Sequence, residues 1–141
     1  MLGRFPPIPQ ASYPHMLALD AELFTLFLLK HGTEYLRFDY DLPVGSGIDP
    51  GPDLPVYLRD DFIHLTRKKI DAVGYTSSGV DIIEVKPRAG LTALGQLIAY
   101  RDLFKLSYPQ FAILKLILIT TQINADEILV YEKNGITILT F

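Results

Sequence analysis

Asp71, Glu84, Lys86, Gln96 and Tyr100, all within residues 71–100, are of types and spacing that could do chemistry together. Asp71 and Glu84 lie in two runs, Ile70-Asp71-Ala72 and Ile83-Glu84-Val85-Lys86, that read as paired strands. Side chains alternate along a strand, so Glu84 and Lys86 share one face with Ile82, and Asp71 shares a face with Lys69 and Val73. A symmetric hairpin about Ser77-Ser78 sets Asp71 directly across from Glu84. Cross-strand partners have Cβ atoms about 4.5–5.5 Å apart, where like charges repel. Such a pair needs a positive charge. Lys86 and Lys69 are near enough to supply one, and so is a hard cation, since Mg²⁺ is typically held by one or two carboxylates with waters and phosphate oxygens. A metal beside a lysine points to phosphodiester chemistry. The same residues also fit an Asp-Lys-Glu salt-bridge lattice on a solvated sheet face.

Gln96 and Tyr100 follow on a helix expected over Leu91–Leu106. At 100° per residue they fall on the apolar side with Ala93, Leu97, Leu103 and Phe104, opposite Leu94, Arg101, Asp102 and Lys105. Four residues apart, they are neighbours. A buried glutamine must be hydrogen-bonded, and the two could satisfy each other or a sheet carbonyl. An earlier helix, expected over residues 15–31 and ending at His31-Gly32, is apolar nearly all round. Glu22 projects about 200° from Asp20 on it, so if Asp20 marks the solvent side, Glu22 faces inward and needs a partner or a metal. Phe24 and Phe27 flank Asp20, which leaves the solvent side open, and an all-apolar helix also fits a dimer interface.

These groups require a scaffold. Residues 4–14 hold four prolines and read as an extended arm. Strand-like stretches follow over Glu34–Val44, then a turn-rich loop over Gly45–Pro55. Tyr57–Tyr75 reads as strand with a break near Asp60-Asp61, and Val80–Lys86 as a short strand. After the Leu91 helix come a continuous apolar strand, Ile113–Thr120, a short helix opened by Asn124, and a last strand, Ile136–Phe141. The order is α-β-β-β-α-β-α-β, an α/β mixed sheet with helices on its faces.

At 141 residues without cysteine, one domain with a real core is expected, and cysteine-ligated zinc and thiolate catalysis are excluded. The start, Met1 to Pro7, does not read as a signal peptide, and the longest apolar stretch, Ala21–Leu29, is too short for a bilayer span of about 20 residues. A cytoplasmic protein without membrane contact is the expectation. Net charge is -3, but residues 59–105 carry eight basic and six acidic groups, so the segment bearing the acid pair is the positive one. His15, His31 and His64 lack metal-ligand spacing and read as surface or cap residues. Gly45-Ser46-Gly47 lacks the Lys-Ser/Thr of a phosphate loop.

Taken together, these residues resemble the PD-(D/E)xK nuclease superfamily, and its RecB-like branch in particular. That family's pattern is an acid on the first core helix, an Asp on the second strand, (Asp/Glu)-x-Lys on the third and Gln-x-x-x-Tyr on the next helix. The matches are Glu22, Asp71, Glu84-Val85-Lys86 and Gln96-Leu97-Ile98-Ala99-Tyr100, over about residues 15–121. Ile70 stands where the nominal signature has proline. The resemblance implies a restriction-endonuclease-like α-β-β-β-α-β core, with the C-terminal helix and strand as an extension. It implies Mg²⁺ or Mn²⁺ on Asp71, Glu84 and the Val85 carbonyl, with Lys86 orienting or deprotonating the attacking water. Glu22 would complete the metal shell through water, while Gln96 and Tyr100 would brace the site or touch the nucleic-acid backbone. Arg67, Lys69, Arg88 and Arg101 are candidate phosphate contacts, with DNA the favoured partner. The Gly45–Pro55 loop would be a lid or guide. A non-catalytic nuclease-fold protein that binds nucleic acid or assembles with partners is the alternative, and a homodimer or larger homo-oligomer would suit two cuts.

Overall fold

The computed structural model describes residues 1–141. Five strands form one sheet in the order β1 (Arg37–Val44), β2 (Lys68–Tyr75), β3 (Val80–Val85), β4 (Ile113–Thr120), β5 (Ile136–Thr140). β1, β2 and β3 are antiparallel neighbours, and β3, β4 and β5 run parallel. The mixed sheet follows from the connections: a tight turn at residues 76–79 allows an antiparallel return, whereas the parallel steps need helical crossovers. Those crossovers are α3 (Leu91–Ser107) and α4 (Ala125–Lys133); α1 (Ala18–His31) precedes the sheet. No helix is long and apolar enough to cross a membrane.

Two apolar layers sandwich the sheet. On one side Ala93, Leu97, Tyr100 and Phe104 of α3 pack with Val73, Val80, Ile82, Leu116 and Leu118. On the other, Leu23, Phe24, Phe27 and Leu28 of α1 pack with Phe38, Tyr40, Ala72, Ile83, Val85, Ile117 and Ile119. β3 is buried along its whole length, and β4 from Leu116 onward, as expected of strands covered on both faces. The α3 face is the one its period dictates. Asn124 takes the N-cap position of α4, but its side chain makes no capping bond.

One element differs from expectation. The first part of Tyr57–Tyr75, expected as strand, is instead a helix, α2 (Val56–Thr66), with no fully buried residue. The aromatic and β-branched residues here favour a strand locally. Yet the half-buried positions Arg59, Ile63 and Thr66 follow a helical spacing, and Asp60-Asp61 fall on the outside of the turn. Tertiary ties hold α2: Arg59 binds Asp49 through two bonds of 2.8 and 2.5 Å, and Thr66 Oγ1 accepts from Ile48 N. The core order therefore gains a helix between its first two strands. The Gly45–Pro55 segment leads into this helix as a loop, with positive φ at Gly45, Gly47 and Gly51.

The N-terminal arm is docked on the open edge of β1. Phe5 and Phe38 exchange backbone hydrogen bonds of 3.0 and 2.9 Å, covering an edge that would otherwise present unpaired groups. Fully buried Asp39 anchors the arm by accepting from Gly3 N, Arg4 N, Arg4 Nε and Tyr75 Oη. Asp39→Ala would orphan these donors and is expected to cost about 2–4 kcal/mol. Urea unfolding measures the loss, and limited proteolysis should cut the released arm at Arg4; an arm still protected would contradict the anchoring role.

Candidate metal centre

Antiparallel pairing of β2 with β3 runs Tyr75–Val80, Gly74–Asp81, Val73–Ile82 and Ala72–Ile83. The next step of this register sets Asp71 against Glu84, as the hairpin symmetry requires. Val85 N–H donates to Asp71 Oδ2 at 2.9 Å, which fixes the aspartate at the mouth of the hairpin. Glu84 is 5% exposed, and its Oε2 has no hydrogen-bond partner. Burial raises the pKa of both carboxyls, and the negative charge of Asp71 pushes Glu84 further up. The two acids resist being ionised together in the absence of a cation.

Tyr100 and Gln96 project from α3 on the layer that covers this pair. The Tyr100 hydroxyl is raised by burial and then by the charges of Glu84 and Asp71, with Gln96 partly offsetting the shift. Gln96 Oε1 is buried and unpartnered. Lys86 directly follows β3, where the chain leaves the core; its side chain is exposed and forms no ion pair, and its charge stabilises ionised Glu84. Its backbone N–H donates to Ile119 O at 2.9 Å, so the base of the side chain is held by the parallel ladder.

On α1 it is Asp20, and not Glu22, that lies at the cavity beside Asp71 and Glu84. A cavity of about 580 Å³ is lined by Leu17, Ala18, Leu19, Asp20, Asp71, Glu84, Val85, Lys86 and Pro87. The charge of Asp20 raises both Asp71 and Glu84. Glu22 is exposed and lines a separate cavity of about 320 Å³ with Arg88 and Gln122. The inward stripe of α1 passes through Phe24 and Phe27, and Asp20 begins that same i, i+4, i+7 row. The exposed leucines Leu19, Leu26 and Leu29 hid this phase. Asp20→Ala is accordingly expected to weaken Mn²⁺ binding, read by calorimetry, and Glu22→Ala to leave it unchanged; the reverse result would restore Glu22.

Sequence reasoning also passed over Asp41. On β1 it lies between Tyr40, paired with Ala72, and Leu42, paired with Ile70, and so stands beside Asp71. The available signal was its alternation with Asp39 on a strand next to that of Asp71. Among the expected basic contacts, Lys69 is half-buried on β2 opposite Pro43. Arg88 is exposed beside Gln122. Two others are already engaged: Arg67 donates to the carbonyls of Gly45 and Pro43, and Arg101 pairs with Asp102 at 3.0 Å.

No group of three or more acidic, histidine or cysteine side chains is arranged to enclose a metal. The donor set nonetheless suits a hard cation of the Mg²⁺ kind, which needs only one or two carboxylates and keeps its waters. The unpartnered Glu84 Oε2 beside Asp71 is the observation that fits.

The fold that carries this centre is restriction-endonuclease-like: a mixed five-stranded sheet flanked by helices, with the acid pair where β2 and β3 open. Solved structures share it. A repair endonuclease from Pyrococcus abyssi superposes with a TM-score of 0.55 at 15% identity, over 93% of this chain and 49% of its own. The EndoMS-dsDNA2 complex gives 0.50 at 15% identity, over 94% and 49%. A protein of unknown function gives 0.50 at 13%, over 85% and 56%. The chain thus spans about half the length of the structures it matches, and at these identities the likeness is one of fold. No protein-family model matches the chain, and no curated protein is similar to it in sequence.

Proposed function

We propose that this chain is a Mg²⁺- or Mn²⁺-dependent nuclease of the PD-(D/E)xK type, in the RecB-like branch, that hydrolyses phosphodiester bonds in DNA. The single observation that carries the reading is the Asp71–Glu84 pair with its unpartnered, buried oxygen and Lys86 at its rim. The neighbours support it, since one is a repair endonuclease and another is a complex with double-stranded DNA.

Asp71 and Glu84 would hold the cation with the Val85 carbonyl. When bound there, it supplies Lewis acidity toward the phosphate and lowers the pKa of a water. The protein's own residues do the rest. Lys86 presents an unpaired ammonium at the cavity, where it orients the attacking water and offsets charge developing on the phosphate. Tyr100 and Gln96 close the α3 side and keep the acids dry, which strengthens their hold on a cation. Lys69 and Arg88 remain as phosphate contacts.

The test is a metal-dependent cleavage screen over supercoiled, linear, branched and single-stranded DNA, with Lys86→Ala as control. Activity in the wild type that is lost in the variant is the expected result. A nuclease-fold protein that binds nucleic acid without cutting it is the second reading, favoured by the net charge of -3 and by the engagement of Arg67 and Arg101 within the fold. Binding without cleavage on every substrate, with and without metal, would select it.

A further inference from the structure

Only two residues other than glycine have positive φ in this chain, His15 at 60° and Asp41 at 53°. They are partners: His15 Nε2 lies 3.1 Å from Asp41 Oδ2. The left-handed region is uncommon for non-glycine residues, and such conformations gather where a site demands them.

The strand geometry shows what Asp41 is placed to do. Phe38 and Tyr40 before it pack in the α1-side layer, with Ala72 opposite; Leu42 and Val44 after it pack in the α3-side layer, with Ile70 opposite. The β1–β2 ribbon therefore passes from one layer to the other at the Asp41/Asp71 step. Asp41, Asp71 and Glu84 then stand in a row across three adjacent strands. The second observation is independent of this row: Glu84, 5% exposed, lines the cavity with an unpartnered Oε2.

We propose that Asp41 is a positioning residue of the cation site, a carboxylate that binds the water shell of a divalent ion seated on Asp71 and Glu84, with His15 fixing its orientation. This inference rests on the metal-dependent reading above. Its side chain is 21% exposed, enough to meet water and too buried to be a free surface acid. His15, 74% exposed and just ahead of α1, reaches Asp41 from the solvent side, so its loss would free Asp41 to turn without disturbing the core.

The test is Mn²⁺ binding by the whole chain, followed by calorimetry and by the electron paramagnetic resonance of the bound ion. Asparagine and glycine both tolerate the left-handed backbone, so Asp41→Asn and Asp41→Gly remove the charge and keep the fold. Both are expected to raise the Mn²⁺ Kd by ~10-fold or more, the size of effect typical for groups behind the metal ligands, and to change the resonance line shape. The melting temperature without metal should not fall. His15→Ala should weaken binding by a smaller factor. Wild-type affinity in both Asp41 variants would overturn the proposal while leaving the nuclease reading intact, and tighter binding in His15→Ala would overturn the role given to the histidine. A wild-type chain that binds no Mn²⁺ would overturn both readings.

Discussion

Lys86→Ala is expected to lower metal-dependent cleavage by ~10²–10⁴-fold, the range for losing a group that assists proton transfer or charge stabilisation at the reacting centre. The structure makes this a clean substitution. The side chain is exposed and carries no ion pair, and the chain at Lys86 is held by its backbone bond to Ile119 O. Folding stability should therefore change by less than about 0.5 kcal/mol, as for most surface substitutions. Mn²⁺ binding should persist, because Asp71 and Glu84 are untouched. Asp71→Ala should lose both activity and binding, since it also removes the acceptor of the Val85 N–H. The measurement is single-turnover cleavage at saturating metal, paired with calorimetric binding. Full cleavage rates in both variants would remove these residues from the mechanism.

Glu84→Gln is expected to raise the melting temperature of the metal-free protein at pH 8 by roughly 5–10 °C and to abolish Mn²⁺ binding. Burial, then the Asp71 charge, pushes Glu84 up to about 9 from an ordinary value of 4.5. A group raised on folding contributes stability that is fully present below its unfolded value and is lost as pH rises through its folded one. The metal-free protein should thus lose stability between about pH 4.5 and 9, with Asp71 shifting in the same direction. If roughly two pH units of this shift are realised, the cost at pH 8 is about 3 kcal/mol, and at about 3 °C per kcal/mol the amide recovers the stated range. A bound cation reverses the sign: wild-type affinity should rise with pH, and binding should release protons. Thermal melts with and without Mn²⁺ from pH 5 to 9 read both effects. A salt-bridge lattice predicts the opposite, because removing a charge from a satisfied network destabilises it, and metal would change nothing.

The two variants divide the proposed site into parts with different physical roles. Lys86 would carry chemistry at the rim, where it is solvated and free to meet substrate. Glu84 carries a buried carboxyl that is costly to ionise, and the fold tolerates it because the surrounding β3 and β4 residues are fully packed. Proteins commonly hold such costs at functional sites. Asp81 gives the contrast. It too is buried on β3 with one unpartnered oxygen, Oδ1, and burial raises it, but Tyr35 Oη donates to its Oδ2 at 2.6 Å and it lies away from the cavity.

Local periodicity alone determined much of this protein. The hairpin symmetry about Ser77-Ser78 fixed Asp71 opposite Glu84, because a tight turn leaves strands no freedom of register. The 3.6-residue period fixed the α3 face that carries Gln96 and Tyr100. A continuous apolar run marked β4 as central. What those signals did not contain was anything set by contact between distant segments. A helix apolar on nearly every side has no rotational phase of its own, so only packing against the sheet selected Asp20 over Glu22. The β-propensity of residues 56–66 yielded to helical half-burial and to ties with Asp49 and Ile48. The proline-containing arm has no internal hydrogen-bonding pattern to betray that it docks on Asp39 and Phe38. Asp41 and His15, 26 positions apart, are joined only when β1 passes between layers and the segment just ahead of α1 reaches it. Sequence determined the acid pair and its lysine because these are neighbours along a hairpin; the tertiary structure decided which further acids surround them, because that depends on how separate elements are turned toward one another.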